Sequence, residues 1–391
     1  MRTKLLLALI VSVGTIGALE GGTRYVEAWR SEQSRSVTEL MQVMPLMRIK
    51  GREIGNQMLV HNAALFVGHP DPQSIRTAYV GTSRTKVIRP VWMGEHDAVN
   101  SSGNSYNEIT YGLLLQAEIA RLRFPNLKRV YFESSLLLRR PARLIVEDDH
   151  RKYLPLLKSL LPLRDGLPGS ATFRSEVERA SAEQSRQERL EVLHHRSEMR
   201  LSALFESTSE GIPVVEDPLF RQVDAAGERR EAPSHSLPQD QWRPDVGNEN
   251  IKVQRLRDIP SWAPWDGLFD MVALWGKAHG IEVVLFQPAV REDLYRYQLQ
   301  NGLSAHVADL QRVARQYHIP FIDLDVPELG YMGDKAIFAD EDHMETCPGV
   351  ILLQGAIAEG YRSFKETGVL LQMPARSVVE QRYAERLRRC G

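Results

Sequence analysis

Three residues of the chain have types and surroundings suited to acyl chemistry: Ser83, Asp340 and His343. Ser83 follows Arg76-Thr77-Ala78-Tyr79-Val80-Gly81-Thr82, a run with strand character that stops at a glycine and a hydroxyl residue. The backbone must therefore turn tightly where the apolar residues end. In an open α/β sheet ligands bind at the carboxyl ends of the strands, so a serine on this turn is placed for chemistry. A serine hydroxyl is a poor nucleophile at its free pKa and needs a neighbouring base, whose imidazolium a carboxylate then stabilises. Asp340-Glu341-Asp342-His343 offers both groups, with a carboxylate three residues before an imidazole and within one turn of chain. The plainer interpretation of the same residues is a turn serine and an acidic surface loop with Asp342, not Asp340, nearest the imidazole.

The elements that would position these residues read as strand, helix, strand. After the Ser83 turn, Thr85 to Pro90 leads to a second turn at Asn100-Ser101-Ser102-Gly103-Asn104-Ser105. Helical spacing follows in Ile109, Leu113, Leu114, Leu115, Ala117 and Ile119, and Leu127 to Phe132 reads as a strand. That order marks a parallel sheet. The unit returns after Trp262: a helix over Trp265–Trp275, a strand over Ile281–Phe286, a helix from Ala305 to Tyr317 and a strand over Pro320–Leu324. Gly349 opens a last helix, Val350 to Tyr361, behind the Asp340 to His343 block. Trp262, Trp265 and Trp275 are read as core residues, the first two also as candidates to line a cleft.

The composition is that of a globular protein: 391 residues, 43% hydrophobic and 25% charged. A formal net charge of -1 leaves no electrostatic footprint for nucleic acid. Two cysteines, Cys347 and Cys390, give neither a disulfide framework nor metal-ligand spacing, and no P-loop or Gly-x-Gly-x-x-Gly follows a strand. No cofactor and no metal are expected.

Met1-Arg2-Thr3-Lys4 precedes an uncharged run from Leu5 to Leu19, so residues 1–22 read as a signal-anchor or signal peptide. The expected location is the inner membrane, with one N-terminal helix and the domain in the periplasm, or the periplasm alone if the helix is cleaved. Residues 23–70 read as a helical stalk or packing segment, and 71–172 and 251–365 as the two parts of one α/β domain. Residues 173–250 form a charged helical and loop insertion, and 366–391 a helical tail. His194 and His195, inside the insertion, lack a carboxylate cluster at ligand spacing and read as solvated or partner-facing.

The strand ending in Gly81-Thr82-Ser83, the turn with Gly103-Asn104 and the closing Asp340-x-x-His343 before a Gly349-led helix resemble, in that order, the blocks of the SGNH or GDSL-type hydrolase superfamily. Within it they are similar to exported members that O-acetylate polysaccharides, such as the alginate acetylation group. The resemblance spans roughly Thr77 to Tyr361 without the insertion. It implies a flavodoxin-like three-layer domain in which Ser83 is the nucleophile, His343 the base, Asp340 its orienting carboxylate, and Gly103 and Asn104 the oxyanion donors. The family's Gly-x-Asn-Asp block is replaced here by Tyr131-Phe132-Glu133-Ser134-Ser135. Arg84 stands directly after the serine, either to attract an anionic substrate group or to pair with a carboxylate. The implied activity is that of an esterase or O-acyltransferase, acetyl being the expected group, on an envelope or extracellular polysaccharide. A membrane acyl-donor protein is the implied partner of a transferase. The alternative is a catalytically inactive SGNH-like scaffold or glycan-binding subunit of a polysaccharide export or modification complex.

Overall fold

A computed structural model describes residues 71–102, 109–139, 237–257, 259 and 267–390, with a few isolated positions between 162 and 182. The N-terminal segments expected over 1–22 and 23–70 lie outside the described residues. So do most of the insertion, Gly103, Asn104, His194, His195, Trp262 and Trp265.

The described chain is an α/β domain built on a six-stranded parallel sheet. In chain order the strands are β1 (Thr77–Val80), β2 (Ala98–Asn100), β3 (Arg129–Glu133), β4 (Glu282–Gln287), β5 (Phe321–Asp323) and β6 (Leu371–Gln372). The helices are α1 (Ile109–Arg123), α2 (Ile251–Arg257), α3 (Leu268–His279), α4 (Glu292–Gln300), α5 (Leu303–Tyr317), α6 (Cys347–Thr367), α7 (Arg376–Arg382) and α8 (Ala384–Arg388). The spatial order is β2-β1-β3-β4-β5-β6.

Alternation along the strands divides the apolar residues between two cores, as the pleat requires. Ala78, Val80, Val130, Phe132, Val283, Leu285 and Phe321 face α1, α3 and α5, where Trp275 is fully buried. Tyr79, Tyr131, Val284, Phe286 and Ile322 face the other way, onto α6 and α7. Parallel strands covered on both faces are near-continuously apolar, which is why β1, β3 and β4 were visible as hydrophobic runs. Tyr79 and Tyr131, opposite each other in register, stack with ring centroids 4.8 Å apart.

The chain leaves β1 for β2 at the edge, then crosses back over β1 to β3 and continues outward from there. The direction of winding thus reverses between β1 and β3, and loops from their carboxyl ends diverge to open a crevice. Ser83 lies on the first of these loops and Glu133 closes β3.

Three elements differ from the reading of the sequence. The second turn is preceded by β2, a three-residue strand, and a helix, α4, separates β4 from α5. The segment after Glu366 adds β6 to the sheet besides its helices, Leu371 standing opposite Phe321. Cys347 and Cys390 form a disulfide that ties the chain beyond α8 to the first residue of α6. Met93 and Ile351 pack against it.

Candidate active site

The serine loop is shaped by a carboxylate beneath it. Glu133 is fully buried at the end of β3. It accepts hydrogen bonds from the backbone N–H of Thr82 (2.7 Å), the Thr82 hydroxyl (2.9 Å) and the Thr85 hydroxyl (2.6 Å), and also from Ser135. A buried carboxylate needs this many donors to offset its lost hydration. Gly81 makes the approach possible. A Cβ there would lie 2.1 Å from Thr85 Oγ1 and 2.6 Å from Glu133 Oε2. With Thr82, Arg84 and Thr85 buried, the loop turns outward the one residue between them, Ser83. Asn100, at the end of β2, fastens the far side by donating from Nδ2 to the carbonyls of Thr85 (3.0 Å) and Ile88 (2.8 Å).

The histidine loop is built from its own backbone. Ala339 N–H donates to the His343 carbonyl (2.8 Å), closing a turn. Inside it, Asp340 Oδ1 accepts from the backbone N–H groups of Asp342 and His343, each at 3.0 Å. The N-cap of α6, Thr346, donates to the Ile337 carbonyl (2.9 Å) and accepts from Gly349 N–H (3.3 Å). Gly349 is required by contact here too, since a Cβ would meet the Ile337 carbonyl oxygen at 2.2 Å. The loop is therefore held against the start of α6, and His343 projects from it toward β1.

These two constructions bring the sequence candidates together. Ser83 Oγ lies 2.7 Å from His343 Nε2, and His343 Nδ1 lies 2.8 Å from both carboxylate oxygens of Asp340. In the neutral imidazole, with Asp340 accepting at Nδ1, the proton sits there and Nε2 is left to accept from the serine. Asp342 takes part as well, its Oδ1 being 2.9 Å from Nδ1. Nδ1–H has one proton to give, and hydrogen-bond geometry assigns it to Asp340, while Asp342 adds charge.

Arg84 turns inward. It pairs with Asp342, and lies 3.5 Å from Glu133 Oε1. It thus joins the end of β3 to the histidine loop rather than facing the crevice. Lys252, on α2, supplies a second cation, which contacts Asp342 Oδ1 and stands 3.3 Å from Asp340 and 3.2 Å from Glu341.

The charges move the proton affinities in opposite directions. Burial opposes a charge on His343, but Asp342 and then Asp340 outweigh it and raise its pKa to about 9. Burial raises Asp342 too, yet Arg84 and the imidazole overcome this and hold its carboxyl well below the usual carboxylate range. Asp340 is lowered as well: burial opposes ionisation and the bond to His343 outweighs it. Asp340, Asp342 and His343 each bring an acceptor atom within 4.8 Å of the others, a spacing that could gather a cation. The positive groups that engage the two carboxylates are Arg84 and Lys252, so the set is an ion-pair cluster around the imidazole.

The roles of Glu133 and Lys252 were not found from sequence, whereas Asp342 is named there only as an alternative neighbour of the imidazole. For Glu133 the available signal was an acidic residue closing a fully apolar strand. No family model matches the chain, and a search of curated proteins returns no match.

Proposed function

We propose that the protein is an SGNH-like serine esterase or O-acyltransferase, acting on a cell-envelope or extracellular polysaccharide through a Ser83 acyl-enzyme. The observation that carries this reading is the unbroken hydrogen-bonded series Ser83 Oγ, His343 Nε2, His343 Nδ1, Asp340, on residues whose types and order in the sequence point to the same chemistry. The sheet order, with its winding reversal beside the serine loop, agrees with a flavodoxin-like frame for such a site.

In the proposed reaction Ser83 Oγ attacks the acyl carbonyl as its proton passes to His343 Nε2. The tetrahedral oxyanion collapses, the bond to the leaving oxygen breaks, and that oxygen takes the proton from the imidazolium. An acceptor hydroxyl, from a glycan in a transferase or from water in an esterase, then gives its proton to His343 and attacks the acyl-enzyme, and Ser83 leaves with that proton. Asp340 holds the tautomer throughout. Gly103 and Asn104, outside the described residues, are the proposed oxyanion donors.

The Cys347–Cys390 disulfide supports an oxidising compartment, in agreement with export through the N-terminal segment. No helix among the described residues is long and apolar enough to cross a membrane, and residues 1–22 are not among them. The test is turnover of p-nitrophenyl acetate by the full chain and its Ser83→Ala variant. A loss of roughly a thousandfold in the variant is expected, and equal rates would defeat the proposal.

A further inference from the structure

The 340–343 loop carries three acidic residues in succession beside a histidine, and one lysine meets all of them. Lys252 Nζ contacts Asp342 Oδ1 and lies 3.3 Å from Asp340 Oδ2 and 3.2 Å from Glu341 Oε1. The Asp342 oxygen it holds is the same atom that stands 2.9 Å from His343 Nδ1. Its delivery is built into α2. Asn250 caps the helix by accepting from Lys252 N–H (2.8 Å), and its amide donates to Glu341 Oε1 (3.1 Å). Val253 and Leu256, on the same helix, are fully buried against Leu136, Leu137, Val290 and Leu294 and so fix its position.

We propose that Lys252 is a positioning residue of the site, acting on His343 through the carboxylates it shares with that imidazole. The inference rests on the serine-hydrolase reading and deepens it. Two carboxylates on one imidazole bind its proton firmly, and with Lys252 in place its pKa still stands at about 9. An oxygen engaged by an ammonium is a weaker partner for an imidazolium, and the added positive charge opposes protonation directly. Lys252 therefore tempers the basicity that Asp340 and Asp342 confer. The other charged groups facing this cluster are Arg84 from the serine loop, which holds Asp342 from its other oxygen, and Glu341; Glu133 and Asp325 act on Arg84 from behind. Because Arg84 and two backbone N–H groups keep the carboxylates in place, losing Lys252 removes charge more than it removes geometry.

The test is the titration midpoint of His343 in the full chain, followed by NMR with labelled histidine and assigned by the signal lost in His343→Gln, alongside the pH profile of kcat/KM. In Lys252→Met both midpoints should move upward by about half a unit or more, roughly threefold in proton affinity. Lys252→Arg should restore them. An unmoved His343 midpoint in Lys252→Met, or an arginine variant no closer to wild type than the methionine one, overturns the proposal. A midpoint displaced as expected in a protein without Ser83-dependent turnover would sink the hydrolase reading and leave the coupling of Lys252 to His343 standing.

Discussion

Arg84, the residue after the serine, is bonded to Asp342, the residue before the histidine. Two segments 258 positions apart in the chain are thus fastened one residue away from where they are proposed to react. The guanidinium also lies 3.5 Å from Glu133, so it balances two buried carboxylates at once. Removing one partner of such a set leaves charge buried without compensation. Arg84→Leu is expected to cost about 3–5 kcal/mol, read as a lower denaturant midpoint. An unshifted midpoint would show that the cluster contributes nothing to stability.

The raised pKa of His343 sets two opposite pH trends. A general base must be neutral, so kcat/KM should climb as pH rises toward about 9. Stability should run the other way. The folded pKa lies above the ordinary 6.5, so this contribution is fully present below 6.5 and is lost as pH rises through about 9. Asp342→Asn, which removes the largest favourable charge on the imidazole, should move the kinetic midpoint downward. A profile flat from pH 6 to roughly 10, or one unmoved by Asp342→Asn, would contradict this account.

A second pH effect comes from the loop that follows β5. Burial, followed by repulsion from Asp323, pushes Asp325 up to about 8. Its carboxyl accepts from Gln287 Nε2 (3.0 Å), and Gln287 Oε1 has no hydrogen-bond partner among the described residues. With a folded pKa above the ordinary 3.8, the neutral carboxyl stabilises the protein fully below 3.8, and that contribution fades as pH rises through about 8. Asp325→Asn should flatten this decline, because the introduced amide can donate to Gln287 Oε1 once that amide rotates. Melting temperatures of both proteins at pH 5 and pH 9 would decide it, the expected variant gaining on wild type at the higher pH.

The disulfide encloses a long loop, its cysteines being 43 positions apart. In the chain-entropy view such a cross-link contributes about 2–4 kcal/mol by restricting the unfolded chain. Cys347→Ser with Cys390→Ser is expected to lower the denaturant midpoint by a matching amount. Since Cys347 opens α6 only four residues beyond His343, p-nitrophenyl acetate turnover should also fall. Full activity in the double variant would mean that Thr346 and Gly349 hold the histidine loop without help.

Much of this frame was legible because its signals are local. β1, β3 and β4 are apolar runs bounded by turns, and the Asp340 to His343 block sits within one turn of chain. The strands that escaped notice are short: Ala98–Asn100 and Leu371–Gln372 are held by their neighbours in the sheet, and a two- or three-residue pattern carries no period. Helix α4 was hidden by its charged composition, its buried side being mainly Leu294 and Gln298. The supporting charges were illegible for a different reason. Glu133, Arg84 and Lys252 take their meaning from groups tens to hundreds of positions away, and nothing in the flanking residues announces a distant partner. Whether Arg84 faces a ligand or a carboxylate could be decided only by the packing.

The distance along the chain between Ser83 and His343 makes the proposed chemistry a late property of the molecule. While the chain is being synthesised, the segment bearing the hydroxyl emerges long before the one bearing the imidazole, 260 positions behind it. Until β4 and β5 have added to the sheet and α6 has settled, the nascent polypeptide holds an inert alcohol, harmless to every ester it passes.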